Sequence, residues 1–330
     1  MAGPSIGPPG PRGDLMLAAA IGQVIAVLTV LALSPLLKGW IENLKAKVQS
    51  RRGPSPLQPY HDLRKLLGKE RMATPYASWV FRMAPYVVFA VPLAFAMLIP
   101  VLTAMPLSWA LMADMVGSGF VIGIGGFFAN LAAMDSGSPY GGLGASRSRF
   151  VSSLAEPTFI VVFFAVGFIS GGTVPFVVND TLFTSASHVV PSHALVAAAF
   201  LLVVLAEAGR LPIDNPNSSQ ELSMIESSRL LEFSGPDQAL MEWGGYMKLF
   251  VLLIVWLNVL VLPLGLATAI TPLAFLWALV TLALKMMGAA LLLVGIESAL
   301  AKIRILRVPE YLGGSFVLAF LGLVLYTVGH

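Results

Sequence analysis

Eight stretches of the chain stay apolar for about the 20 residues that a membrane helix needs. They run roughly over Leu15–Leu37, Pro85–Ala104, Leu107–Met134, Pro157–Val178, Ser192–Ala206, Gly245–Leu266, Thr271–Ile296 and Glu310–Val328. The fifth is the shortest, because Glu207 and Arg210 cut its apolar run. Polar residues between the stretches gather in two long loops, 38–84 and 207–244. The pattern predicts an all-α polytopic membrane protein with one membrane domain over 15–330. The Pro- and Gly-rich residues 1–14 are expected to form a flexible tail ahead of it.

Inside the first long loop, Tyr60, Leu63, Leu66 and Leu67 recur near helical spacing after Pro59, with Asp62, Arg64, Lys65 and Lys69 between them. Such an amphipathic helix lies in the interface rather than crossing it. Eighteen of the 20 Lys and Arg residues fall on one side of the eight spans, ten of them between Lys38 and Arg82. By the positive-inside rule that side is cytoplasmic, and both termini lie on the other side of an inner (cytoplasmic) membrane.

Composition sharpens the picture. A mean hydropathy of +0.84 excludes an ordinary soluble domain. The absence of cysteine removes disulfides, thiolate zinc sites and conventional iron–sulfur ligation from this chain. Of the four histidines only His188 and His193 are close in sequence, and two histidines make a weak metal site. No metal, haem or flavin is expected, and nothing in the basic pattern points to nucleic acid. The expected surroundings are lipid bilayer and docked protein.

The chemistry concentrates in Leu205–Gly235, where Glu207, Asp214, Glu221, Glu226 and Glu232 follow an apolar run. Some of these acids have plain structural readings. Ser218 with Glu221 fits a capping box, and Glu226, Arg229 and Glu232 stand three residues apart, as in surface salt bridges. Clustering favours more than that, since close carboxylates raise one another's pKa towards neutral pH. Three further ionisable residues are placed within predicted spans: Asp114 about a third of the way into the third, Lys285 near the middle of the seventh, and Glu297 near its cytoplasmic end. Intramembrane charges default to function. A buried ion pair is the alternative for Lys285, and its partner must come from another span, another subunit or water. Gly119 and Gly123 in the third span form a small-xxx-small pair suited to close helix packing.

Four motifs then carry a resemblance across nearly the whole chain. They are Arg51-Arg52-Gly53-Pro54 with Leu57-Gln58-Pro59, Asp62 and Lys65-Leu66; Gly144-Ala145-Ser146-Arg147 leading to Glu156; Ala206-Glu207-Ala208-Gly209-Arg210-Leu211-Pro212-Ile213-Asp214 with Glu232-Phe233-Ser234-Gly235; and Lys302-Ile303-Arg304-Ile305-Leu306-Arg307-Val308-Pro309-Glu310. In this order, on eight spans, the chain resembles the membrane subunit 1 family of respiratory complex I and its relatives in energy-converting nickel–iron hydrogenases. The resemblance implies a non-catalytic anchoring and coupling subunit. Iron–sulfur clusters, and a nickel–iron centre in the hydrogenase branch, would lie in peripheral-arm partners, and antiporter-like membrane subunits would lie beside the chain. It also implies a proton path through Glu156, Glu207, Glu221 and Glu232, to which Lys285 and Glu297 add as intramembrane charges. Arg52, Asp62, Arg147, Arg210 and Asp214 would form the charged cavity wall and arm-docking face.

The quinone-dependent branch typically has Thr-Asn before the third-motif arginine and a Phe-Asp-Leu-Pro-Glu run after it. Here Ala208-Gly209 and Ile213-Asp214-Asn215-Pro216 stand in those places. With the fourth motif, this resembles the branch of formate hydrogenlyase and hydrogenase-4 and weighs against quinone. A quinone-site subunit, a stand-alone secondary ion transporter and an inert anchor are the competing readings.

Overall fold

The computed structural model describes residues 12–75, 77–105, 114–185, 191–215, 223–269 and 271–329. Ten α-helices account for most of them: α1 Arg12–Val48, α2 Gln58–Leu67, α3 Trp79–Ala96, α4 Met115–Asp135, α5 Pro139–Ser170, α6 Pro175–Ser185, α7 Pro191–Glu207, α8 Gly235–Ile254, α9 Pro272–Ala299 and α10 Val308–Gly329. Seven of these (α1, α3, α4, α5, α8, α9 and α10) are long and apolar enough to cross a membrane, and α7 is an apolar helix of 17 residues. Each falls on one of the eight apolar stretches, and the protein is an all-α, multi-pass membrane protein. The predicted interfacial helix is α2, with Leu63 buried and Arg64, Lys65 and Lys69 exposed beside or just beyond it. The Tyr60 hydroxyl donates to the Ala32 carbonyl of α1, and burial raises its pKa above the ordinary value.

The core is organised around α8. Its apolar window is 72% buried, against 22–44% for the other long helices. Gly244 lets it approach α3, since a Cβ there would stand 2.6 Å from the Val88 carbonyl oxygen. α8 does not end cleanly but widens into a π-helical turn, Val255–Val261. The irregular residues 262–269 follow and meet those after α3: Ala267 N donates to Leu102 O at 2.8 Å, and Ala104 N to Ala267 O at 3.1 Å. Irregular backbone at membrane depth needs such partners, because lipid offers none.

Several boundaries differ from the pattern. Asp114 is not inside a span: it is the N-cap of α4, its carboxylate accepting from Gly117 N. A short acidic side chain is favoured there because it satisfies an orphan amide. Pro157 does not open a helix but lies within the 32-residue α5, and Pro85 likewise lies inside α3. Proline is a poor boundary marker where neighbouring helices and side chains re-satisfy the freed carbonyl. Arg147, Arg149 and Glu156 are therefore helical. Both long loops also shorten, as α1 continues to Val48 and α8 begins at Gly235. Of the Gly119–Gly123 pair, a Cβ on Gly119 would meet the Phe163 ring at 3.0 Å, while one on Gly123 meets nothing within 4 Å. Residues 1–11, His188 and the Ser218–Glu221 capping box lie outside the described residues.

Candidate functional site: a charged cavity at one end of the bundle

The charged loops converge at one end of the bundle, where three internal spaces adjoin. The largest, about 380 Å³, lies between α1, α3, α4, α8 and the segment 208–230. Val88, Val91, Pro92 and Ile122 give it an apolar wall. Lys38, Glu42, Arg210, Glu226, Arg229, Glu242 and Lys248 give it a charged one. A narrow second space of about 50 Å³ runs from Arg149 and Glu156 past Phe159 and Phe163 to Glu207. A small third space shares lining residues with both, bordered by Glu207, Asp214, Glu226, Arg229 and Lys248.

Glu207 is therefore at the junction. Its carboxylate, 10% exposed, ends α7 and accepts from Lys248 Nζ at 2.7 Å. The turn after it is built by Gly209, whose φ of +58° is a left-handed conformation. A Cβ at that position would run into the Glu226 side chain. Arg210 N then donates to Leu205 O at 2.9 Å, closing the helix. This turn sends Arg210 inward, where Nη1 reaches Glu297 Oε1 at 3.3 Å. Lys45 of α1 reaches the other oxygen of Glu297 at 2.9 Å. The Glu297 side chain is fully buried, so one carboxylate ties α1, α9 and the 208–215 turn together.

Asp214 does comparable work on the next segment. It is 1% exposed and accepts from Lys302 Nζ at 2.7 Å, Ile225 N at 3.1 Å and Glu226 N at 2.9 Å. It faces the small third space rather than the outer surface. Arg147 holds the same segment through the Met224 carbonyl at 3.4 Å. Glu226, its side chain partly exposed, pairs with Arg229, which is buried and also donates to Asn130 Oδ1 at 2.8 Å, so only the arginine side of this pair is buried. Ser227 Oγ and Arg229 Nε are buried with no hydrogen-bond partner among the described residues, and both residues line the large cavity.

Of the other sequence-predicted residues, Glu156 is exposed, pairs with Arg149 at 3.4 Å and marks the outer end of the narrow space. Glu232 is half-buried in the turn before α8 and borders none of the three spaces. Arg52 is exposed on a separate surface cup with Glu42, Lys45 and Arg51. Asp62 accepts from Gln58 Nε2 at 2.9 Å on α2. Glu221 lies outside the described residues. Lys285 is remote from the cavity, and an ion pair is not found for it among the described residues. Its ammonium instead donates to Asn258 Oδ1, Leu262 O and Leu264 O.

Two carboxylates on the cavity are not singled out by the sequence. Glu42, on the last part of α1, pairs with Lys38 at 2.7 Å. Glu242 accepts from Gln238 Nε2 at 2.9 Å and from the Tyr246 hydroxyl at 3.2 Å, and among the described residues no cation pairs with it. Both fall in stretches that the apolar pattern assigns to loops. The spacing of Gln238, Glu242 and Tyr246, four residues apart, is the available sign that one helical face carries them.

Fold and cavity define a class: a polytopic helical membrane protein with a carboxylate- and cation-lined chamber at one end. Comparison with known proteins is more specific. The family described as NADH dehydrogenase matches residues 21–328, and the chain belongs to that family, in its complex I subunit 1-like form. Formate hydrogenlyase subunit 4 of Escherichia coli (strain K12) is 32% identical over 91% of the chain and 96% of its own length. Hydrogenase-4 component C of the same organism is 31% identical over 94% and 96%. A subunit of the NADH-quinone oxidoreductase of Anaplasma phagocytophilum (strain HZ) is 29% identical over 70% and 72%. A chain of an archaeal respiratory complex, the membrane-bound sulfane sulfur reductase, shares the fold at TM-score 0.77 and 19% identity, covering 94% of this chain and 99% of that one.

Proposed function

We propose that the chain anchors a redox-active peripheral arm to the membrane and couples electron transfer in that arm to proton (or sodium) movement. In this reading it is a non-catalytic subunit of a hydrogenase-type complex. Its partners are iron–sulfur and hydrogenase-like arm subunits and antiporter-like membrane subunits, and the metal centres reside in the arm. The two Escherichia coli relatives support the hydrogenase branch, each matching over nine-tenths of the chain. The basic end of the bundle is the cytoplasmic one, with both termini opposite.

The observation that carries the coupling role is the position of Glu207. It borders both the narrow space from Glu156 and the space shared with the main cavity, and its counter-ion, Lys248, lines that cavity. A Glu–Lys pair at such a junction has two states. Paired, the carboxylate stays ionised; with the lysine drawn away, a carboxylate this little exposed takes up a proton. Glu226 and Glu242 continue the series on the cavity side. Glu207→Gln should leave the arm's redox activity near the wild-type rate and abolish ion translocation. Unchanged translocation by that variant would remove Glu207 from the path.

One observation favours a second reading, a quinone-type ligand in the large cavity. The cavity sets the apolar wall of Val88, Val91, Pro92 and Ile122 opposite the charged side chains, which suits a carbonyl-bearing ring. Photolabelling by an azido-quinone at residues 226–230, suppressed by excess quinone, would establish that reading; labelling elsewhere or none would dismiss it.

A further inference from the structure

Lys285 lies on α9 twelve residues from Glu297, about 18 Å along the helix and in the half of the bundle away from the charged cavity. An ammonium has three N–H donors, and here each has an oxygen: Asn258 Oδ1 at 2.8 Å, Leu262 O at 2.8 Å and Leu264 O at 2.5 Å. None is a carboxylate. Two are backbone carbonyls in the irregular chain just beyond the π-helical turn that ends α8; Leu262 O also accepts from Leu264 N at 2.7 Å, and among the described residues Leu264 O has no backbone donor. The third is held by its surroundings: Asn258 Nδ2 donates to Pro100 O at 2.9 Å and Val101 O at 3.1 Å, and its backbone carbonyl accepts from Asn179. Asn258 is 2% exposed, so its side-chain oxygen is fixed in place.

We propose that these oxygens form a monovalent-cation site, filled here by the lysine's own ammonium, and that a dehydrated alkali cation and protonated Lys285 are alternative occupants. Neutral oxygens converging from unwound helix ends are the ligands by which membrane proteins hold alkali cations at depth. A structural lysine would be served equally well by one carboxylate. A cup of three neutral oxygens matches a charge of +1 without fixing which cation carries it. When Lys285 gives up its proton to water, the cup loses its cation, and the alkali ion takes the same oxygens.

Other charges near the site are few. His193 on α7 contacts Leu260 O through Nε2 at 2.6 Å, and Asp180 on α6 is exposed beside Asn179. On α8 the nearest charged residue along the chain is Lys248, ten positions before Asn258, and on α9 it is Glu297. On α1 the described charged side chains, Lys38, Glu42, Lys45 and Lys47, stand at the cavity end. The cup stands apart from Glu207 and would bind its cation whether or not Glu207 couples.

The test is thermal unfolding of the purified complex carrying Lys285→Ala, in sodium chloride and in choline chloride of equal ionic strength. Sodium should raise the midpoint saturably by several degrees over choline, and adding Asn258→Ala should remove the difference. Equal midpoints in the two salts would overturn the proposal. If K285A does not assemble, equilibrium binding of radioactive sodium to the wild-type complex decides. One ion per chain should bind at alkaline pH, where the lysine is neutral, and far less at neutral pH, with binding lost in N258A. No binding at high pH, or equal binding by N258A, refutes the site.

Discussion

Glu297 is the clearest case of a residue whose surroundings fix what it does. Its carboxylate is wholly buried between Lys45 and Arg210. Removing one member of a buried set leaves uncompensated charge, at a cost of about 3–5 kcal/mol. Glu297→Ala should therefore lower the thermal midpoint of the chain far more than Glu156→Ala, whose exposed pair with Arg149 contributes about 0–1 kcal/mol. A comparable loss for the two variants in a melting experiment would contradict the burial of Glu297. Gly144 makes a steric prediction of a different kind. A Cβ there would stand 2.6 Å from Ser228 Cβ and 3.1 Å from the Ile225 carbonyl oxygen. Backbone cannot give way as a side-chain tip can, so Gly144→Ala should cost about 1–3 kcal/mol. Gly142→Ala, with open space around it, should be nearly neutral.

Elements show how much of this arrangement could be read from the chain. The eight apolar stretches and the interfacial α2 were legible because hydrophobic length and spacing depend on local sequence. Helix ends were less so. Asp114 reads as an intramembrane charge but caps α4, and Pro157 reads as a start but lies within α5. Both errors come from tertiary context: a cap depends on where the chain turns, and a proline break depends on what its neighbours supply. The extension of α8 back to Gly235 is why Glu242 escapes a sequence reading, since a loop carboxylate and a cavity carboxylate look the same in sequence. Lys285 was legible as unusual, but its oxygen partners were not, because they come from a π-helical turn that no spacing predicts. At this scale the surface cup formed by Lys45, Arg51 and Arg52 at the end of α1 carries a prediction for docking. Arg51→Glu with Arg52→Glu should release the arm at lower salt than wild type, as read by arm retention on membranes washed at rising ionic strength. Retention at wild-type salt would place the docking contacts elsewhere.

For the whole molecule, polar density is uneven along the membrane normal. One end holds three adjoining spaces and most of the buried ion pairs, and the other half holds the Lys285 cup and the bridged segments after α3 and α8. A bundle built this way has two places where charge can be held, joined by an apolar core around α8. A stand-alone transporter would have to move ions between them without partners. A coupling subunit needs the arm to drive the cavity end. Purification in mild detergent separates the two: the coupling account expects the chain to travel with arm and membrane partners, whereas ion transport by the isolated chain would contradict it.

The most direct measurement is the number of ions translocated per electron pair by the intact complex in proteoliposomes, for wild type, Glu207→Asp and Glu207→Gln. The account predicts a ratio near wild type for the aspartate, which keeps a titratable carboxylate at the junction. It predicts a ratio of zero for the glutamine with electron transfer still running. A glutamine variant that translocates at the wild-type ratio would contradict it.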